Sequence, residues 1–258
     1  MKTEKPLILV SNDDGITAPG IQNLVEAIKH LGEVVIVAPD SPQSAMGHAV
    51  TISKPLRLDK THLYGDIEAW QCSGTPADCV KLAVDKVLKR KPDLLVSGIN
   101  HGSNSSINVL YSGTMSAAME GAIEGIPAVG FSLCDFAYDA DFSYAKKVAA
   151  KVAQNILENG LPLGTLLNVN IPNAHEDKIA GTKICRQANA KWKEEFTERL
   201  DPNGRKYFWL TGKFINNDKG EDTDEWALAN NYVSIVPVHF DLTAHHAIPF
   251  LNEWNLAF

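Results

Sequence analysis

The sequence predicts an α/β fold in which a mainly parallel sheet is flanked by helices and followed by a C-terminal β-rich extension. Three observations carry this. Apolar runs of strand length recur at 6–10, 34–38 and 93–97, rich in Val, Ile and Leu and without polar alternation, as strands buried on both faces require. Between them lie stretches with apolar residues at helical spacing. Beyond about residue 179 the alternation gives way to separated strand-like pieces, most of them with no convincing crossover helix between.

Pro6-Leu7-Ile8-Leu9-Val10 is the first strand. Ile21, Leu24, Val25, Ile28 and Leu31 then line one face of a helix over 19–32, with Pro19 suited to its first turn and Gly32 to its stop. The strand 34–38 completes a βαβ unit, whose strands should be parallel and whose crossover right-handed. Short alternating pieces over 55–71, around Tyr64-Gly65-Asp66, read as a hairpin excursion. Thr75-Pro76-Ala77-Asp78 supplies an N-cap, a first-turn proline and an acidic third residue for a helix that runs through Leu88. The strand 93–97 ends in Gly98-Ile99-Asn100, and a polar loop follows to Tyr111; loops of that length are usually functional or disordered. A small-residue helix over 115–124, a strand over 126–131, a helix over 142–157 and a strand over 166–169 continue the alternation. The later strand-like pieces are 183–187, 207–211 and 232–236, so the expected division is a core over 1–178 and a β-rich subdomain over 179–258 packed on it.

With 258 residues, 45% hydrophobic and 21% charged, the chain can bury a large core. A net charge of −7 gives no basic footprint for a nucleic-acid polymer, although a small phosphorylated ligand can still bind through a metal ion. Cys72, Cys79, Cys134 and Cys185 show neither zinc spacing nor a CxxC pair, so free thiols in a reducing compartment are expected. The early apolar stretch is too short for a signal-peptide core or a membrane span, and a cytoplasmic protein is expected.

Asp13-Asp14 sits between the first strand and Gly15. Adjacent strand residues point to opposite faces, so the pair belongs on the turn beyond the strand, where Gly15 lets the backbone curl. Two carboxylates there repel each other unless a hard cation lies against them; the bland alternative is ordinary Asp-Gly turn chemistry. In a parallel sheet the first three strands deliver Asn12-Asp13-Asp14, the 41–47 segment and the 98–104 segment to one edge. Asp13, Asp14, Ser44 and Asn100 are all hard oxygen donors suited to magnesium or manganese. Taken singly, Ser44 reads as a turn or cap residue and Asn100 as a support of loop hydrogen bonds. Ser112-Gly113-Thr114 opens a helix with backbone N–H groups, two hydroxyls and the positive dipole end, which suits a phosphoryl group or simple capping. His48 and His101 lie in the convergent loops without a defined role, and His245-His246 lacks the i, i+4 spacing of a metal pair. Walker A, GxGxxG, DxD and GxSxG patterns are absent from the positions where nucleotide-binding, transferase or hydrolase folds place them.

A family resemblance rests on several strings in order: Val10-Ser11-Asn12-Asp13-Asp14-Gly15 with Ala18-Pro19-Gly20, Ala38-Pro39 with 41–47, Ser97-Gly98-Ile99-Asn100, and Tyr111-Ser112-Gly113-Thr114 with Ala117-Ala118-Met119-Glu120-Gly121. Asn168-Val169-Asn170-Ile171-Pro172, Thr223-Asp224 and Tyr232-Val233-Ser234-Ile235-Val236-Pro237 extend it. Together they resemble the survival protein E (SurE) nucleotidase family along nearly the whole chain. The resemblance implies a Rossmann-like catalytic core and a metal-dependent phosphomonoesterase that hydrolyses nucleoside monophosphates (a 5'-nucleotidase). It places the metal, Mg2+ or Mn2+, on Asp13, Asp14, Ser44 and Asn100, with Asp13, Asp14 and Asn12 in catalysis and Ser112, Gly113, Thr114 and Asn104 at the substrate phosphate. It implies a homo-oligomer, dimer or tetramer, built through the C-terminal β region; no membrane partner is expected, because the apolar stretches are too short to span a membrane. Asn108 stands where many relatives carry an acidic residue, and 190–222 matches the family poorly. The rival readings are a non-catalytic metal-dependent nucleotide or phosphate sensor and, less well supported, a glycosyltransferase.

Overall fold

The computed structural model describes residues 5–137 and 139–256. Its nine-stranded sheet has the order β3-β4-β2-β1-β5-β6-β7-β11-β8. The strands are β1 (Leu7–Ser11), β2 (Glu33–Pro39), β3 (Leu58–Thr61), β4 (Glu68–Cys72), β5 (Leu94–His101), β6 (Ala128–Leu133), β7 (Thr165–Ile171), β8 (Gly181–Ile184) and β11 (Tyr232–His239). From β4 across to β7 all neighbours run parallel; β3 is antiparallel at one edge, and β11 is antiparallel to β7. The expected α/β class and parallel core are therefore present. A separate antiparallel hairpin, β9 (Ala190–Leu200) with β10 (Lys206–Asn216), stands apart from this sheet.

The period of two in β1 explains the layers. Ile8 and Val10 pack with α1 (Pro19–Ile28) and α4 (Ser143–Asn159) on one face. Leu7 and Leu9 pack with α2 (Pro76–Leu82) and α3 (Gly113–Ile123) on the other. Each such fully buried aliphatic side chain is worth roughly 1.5–3 kcal/mol relative to exposure. Ala117, Ala118 and Gly121 keep α3 close to the sheet, where a methyl on Gly121 would meet Leu95 Cδ1 at 2.8 Å. The expected capping box is present: Thr75 Oγ1 accepts from the Asp78 amide and Asp78 accepts from the Thr75 amide.

Several boundaries differ from expectation. The α1 helix stops at Ile28, and Leu31 packs on the core from the turn that follows. The helix expected through Leu88 widens after Leu82 into a π-helical turn, Ala83–Val87, with the Leu88 amide bonded to the Ala83 carbonyl. Strand β5 runs on to His101 because β6 continues to pair with it, Asn100 with Ser132 and His101 with Leu133, past a bulge after Ser97. Asn100 thus belongs to a strand end and not to a loop. The polar segment to Tyr111 contains a short 3-10 helix, Ser106–Leu110. In the C-terminal third, β11 and β8 extend the main sheet, and α5 (Asp224–Ala229), absent from the sequence reading, packs on β11. No helix among the described residues is long and apolar enough to cross a membrane.

Candidate active site

Asp13 and Asp14 leave the end of β1 on a turn that needs Gly15, whose φ of +96° lies in the region side-chain-bearing residues avoid. Asn12 ties that turn, donating from Nδ2 to the Gly15 carbonyl at 2.9 Å. The segment after β2 is stitched to both neighbours: the Gln43 amide donates to the Asp13 carbonyl (2.8 Å) and the Gly47 amide to the Tyr111 carbonyl (3.1 Å). Its far end is anchored where His48 Nε2 meets Glu120 Oε2 at 2.8 Å, the other oxygen of this buried carboxylate taking a 2.6 Å bond from Lys81. His48 is thus an anchor of the Ser44 segment.

These elements enclose a cleft of about 390 Å³ lined by Asp13, Asp14, Ser44, Asn100, Asn104 and Ser112, with Ser103, Asn108 and an aromatic rim of Tyr111, Phe136 and Trp192. All four residues expected to hold a metal meet there. A groove of similar size between α4 and β8/β11 is lined mainly by apolar groups and contains no carboxylate.

Asp13 is only 6% exposed. Burial, and then the charge of Asp14, push its carboxyl up to about 6. Burial also raises Asp14, offset in part by the His101 backbone N–H. Thr114 donates its hydroxyl to Asp13 Oδ1, and its backbone N–H reaches the same carboxylate. The start of α3 therefore holds Asp13. Gly113 makes this approach possible: a methyl there would stand 2.6 Å from Asp13 Cβ and 2.9 Å from Oδ2. Ser112 lines the cleft while its Oγ accepts from the Met115 amide at 3.0 Å.

The donor set fits a hard divalent cation. Two adjacent carboxylates, one of them buried, are held together against their repulsion. Asn100 Nδ2 is committed to the carbonyls of His101 (3.1 Å) and Gly102 (2.8 Å), which leaves its Oδ1 as the acceptor available to the cleft. The available donor atoms are oxygens throughout, as magnesium and manganese prefer. Among the described residues no group of three His, Cys, Asp or Glu is placed to hold a metal ion, so a cation in this cleft would rest on two carboxylates completed by the neutral oxygens of Ser44 and Asn100.

Three expected site residues, Asn12, Gly113 and Thr114, do not line the cleft. Asn12 is buried under the Asp-Asp-Gly turn, and Thr114 is fully buried, its hydroxyl directed at Asp13 and away from any ligand. Asn104 does line the cleft, but one Nδ2 hydrogen goes to Ser132 Oγ (2.8 Å), and its backbone is gripped by Asn170 (2.8 Å) and Asn168 (2.8 Å). Sequence reasoning missed Ser132, Asn168 and Asn170 as supports; the signal was polar residues in otherwise buried apolar strands. It also missed Trp192, whose Nε1 donates to Asn108 Oδ1 at 2.8 Å. His101 lines the cleft, with Nδ1 3.0 Å from the Ala137 carbonyl.

Fold and cleft together define an open, Rossmann-like α/β protein that presents paired carboxylates and neutral oxygen donors past the carboxyl edge of its sheet. The chain belongs to the survival protein SurE family, whose profile matches residues 8–194. It is 62% identical over 258 residues to the 5'-nucleotidase SurE of Christiangramia forsetii, covering 99% of each chain. It is 46% identical over 257 residues to the 5'-nucleotidase SurE of Phocaeicola vulgatus, again covering 99% of each. The crystal structure of the SurE protein from Aquifex aeolicus matches it with a TM-score of 0.83 at 41% identity, over 96% of this chain and 98% of that one.

Proposed function

We propose that the chain is a metal-dependent phosphomonoesterase that hydrolyses nucleoside monophosphates to nucleoside and phosphate, a 5'-nucleotidase. The observation that carries this reading is the convergence of Asp13, Asp14, Ser44 and Asn100 on one cleft with an aromatic rim. Relatives named 5'-nucleotidase SurE, alike over nearly the full chain, support it. Asp13, Asp14, Ser44 and Asn100 would hold Mg2+ or Mn2+, which when bound neutralises charge on phosphoryl oxygens and promotes attack by water. Thr114 and Gly113 fix Asp13, and Asn12 fixes the turn that carries both carboxylates. Asp14, without a threonine clamp, is the freer of the two to take a proton from the attacking water. The Ser112 hydroxyl and Asn104 face the phosphate, while Tyr111, Phe136 and Trp192 offer flat apolar surface to a base.

Residues 179–258 complete this reading as an oligomerisation region, because the β9–β10 hairpin leaves Phe208, Trp209 and Leu210 exposed. A dimer or tetramer in a reducing cytoplasm fits this surface and the four free cysteines. The test is phosphate release from a panel of nucleotides with Mg2+ or Mn2+, after EDTA, and after metal is restored. Release that chelation abolishes and metal restores supports the reading. Binding without release at saturating metal overturns it in favour of a sensor.

A further inference from the structure

The cleft wall carries hydroxyls that continue into the protein. Ser103 lines the cleft, and its Oγ lies 2.6 Å from Ser105 Oγ. Ser105 in turn donates to Oε1 of Glu225 over 2.5 Å. Glu225 comes from the first turn of α5, 120 positions further along the chain. A second carboxylate explains how the two segments find each other. Asp224, fully buried, accepts from the amides of Ser106 (2.7 Å), Ala188 (2.9 Å) and Glu225 (2.8 Å). Because Ser106 follows Ser105 and Glu225 follows Asp224, this lock sets the Glu225 carboxyl against the Ser105 hydroxyl. The Ser105 amide donates to Ser103 Oγ at 3.0 Å and fixes the cleft end of the series.

Each hydroxyl has one hydrogen, so the series has two senses. With Glu225 ionised, Ser105 donates to Glu225 and Ser103 donates to Ser105, and the cleft meets an acceptor. With Glu225 protonated the series reverses, and the Ser103 hydrogen is released from Ser105 for another acceptor, the buried Asn170 Oδ1 at 3.3 Å or a ligand oxygen in the cleft. Burial holds the Glu225 carboxyl above the usual carboxylate range, and the charge of Asp224 adds to this. The titratable groups facing it are Asp224 on its own helix and the thiol of Cys134 after β6, which burial pushes up to about 12 and so keeps neutral.

We propose that Glu225, Ser105 and Ser103 form a proton relay that protonates the leaving oxygen of a phosphate monoester in the cleft, an inference that rests on the phosphomonoesterase reading above. As the bond from phosphorus to the ester oxygen breaks, that oxygen keeps the electron pair and takes the Ser103 proton. Ser103 takes the proton of Ser105, and Ser105 that of the Glu225 carboxyl. The attacking water supplies the new phosphate oxygen, and a proton from solvent restores Glu225. Ester and water become alcohol and phosphate, and the relay is unchanged. Ser103 is the residue that touches substrate; Ser105 and Glu225 act through it.

The test compares a nucleoside monophosphate, whose alkoxide leaves poorly without a proton, with 4-nitrophenyl phosphate, whose phenolate leaves readily. In Glu225→Gln and Ser105→Ala the ratio of the two kcat/KM values should move about a hundredfold towards the nitrophenyl ester. Ser105→Thr, which keeps the hydroxyl, should restore the ratio. In the wild type, nucleotide turnover should fall on the alkaline side as Glu225 ionises, and Glu225→Gln should remove that limb. Ser105→Ala leaves both α5 carboxylates in place, so it keeps the test decisive if Glu225→Gln melts early. An unchanged ratio in an active protein overturns the relay alone, whether both substrates slow equally or neither does. A wild type that hydrolyses neither ester with metal present overturns the parent reading as well.

Discussion

The Asp13 cleft and the β9–β10 hairpin depart in opposite ways from the rule that charge faces water and apolar groups face the core. In the cleft, a carboxylate is buried beside a second one and gripped by Thr114. On the hairpin, Phe208 and Trp209 are 56% and 62% exposed, although a packed sheet lies in the same chain. Burying a charge costs free energy unless a counter-charge or hydrogen bonds offset it, and leaving an aromatic in water forgoes its burial. On the function proposed above, a cation would complete the cleft and a second copy of the chain would cover the hairpin. The difference is also one of support. The cleft is braced by strands on both sides, whereas the hairpin is joined to the body near its root, where Trp192 packs on Phe214 and bonds Asn108.

The largest effect should come from removing the cleft's charge. Asp13→Asn should lower nucleotide turnover by at least about a hundredfold at saturating metal. Its effect on stability runs the other way. The folded carboxyl titrates near 6 against an ordinary 3.8, so the folded state binds the proton more tightly than the unfolded state. The contribution of Asp13 to stability is therefore most favourable below 3.8, declines between 3.8 and 6, and is lowest above that. Without metal, Asp13→Asn should match the wild type near pH 4 and exceed it at neutral pH, by at most about 3 kcal/mol. Calorimetry in EDTA at both pH values checks this. Added Mg2+ or Mn2+ should stabilise the wild type more than the variant, and equal gains would break the proposed contrast between cleft and hairpin.

A smaller loss is expected from Gly113→Ala. In an exposed helix this change is favourable by roughly 1 kcal/mol, yet here the new methyl would displace Asp13. Turnover should fall about tenfold or more, with stability reduced by roughly 1–3 kcal/mol through overpacking. Thr114→Val keeps the shape and removes a hydroxyl that donates to a buried carboxylate, so it should cost roughly 1.5–3 kcal/mol of stability. It should also weaken metal binding, measured by calorimetric titration. Unchanged metal affinity in both variants would show that α3 does not position Asp13.

The same contrast explains what could be read from the sequence. Strands β1, β2 and β5 were legible because burial on both faces leaves continuous apolar runs, and Asp13-Asp14 was legible because strand ends share one edge. Of the hairpin only 207–211, within β10, was legible as a strand; in AKWKEEFTERL the apolar residues Ala190, Trp192, Phe196 and Leu200 share one face, but Glu194 and Glu198 interrupt the alternation and the strand is exposed along most of its length. The C-terminal aromatics fall into two groups. Trp226 stacks on Tyr232 within its own chain beneath Lys183, whereas Tyr207, Phe208 and Trp209 remain uncovered. Within the site, residue types indicated which oxygens gather but not which way hydroxyls point. Thr114 reads as a phosphate donor until the fold shows it turned to Asp13. The contact between Ser105 and Glu225 joins segments 120 positions apart and leaves no local signal.

The hairpin should respond in the opposite manner to the cleft, with the smallest effect on the single chain and a visible one on assembly. Phe208 and Trp209 lie opposite Glu198 and Thr197, well away from the Trp192–Phe214 root. Replacing both with Ser removes no core contact, so in a lone chain stability should stay within about 0.5 kcal/mol of wild type. If the hairpin is covered by a second copy, each aromatic is a candidate anchor worth roughly 2 kcal/mol or more of association, and the double change should raise the subunit dissociation constant by an order of magnitude or more. Light scattering over a concentration series reads this directly, and deletion of 206–213 should shift the mass further towards smaller species. A wild type that is monomeric at micromolar concentration would remove the hairpin from the comparison, leaving its aromatics as surface without a partner.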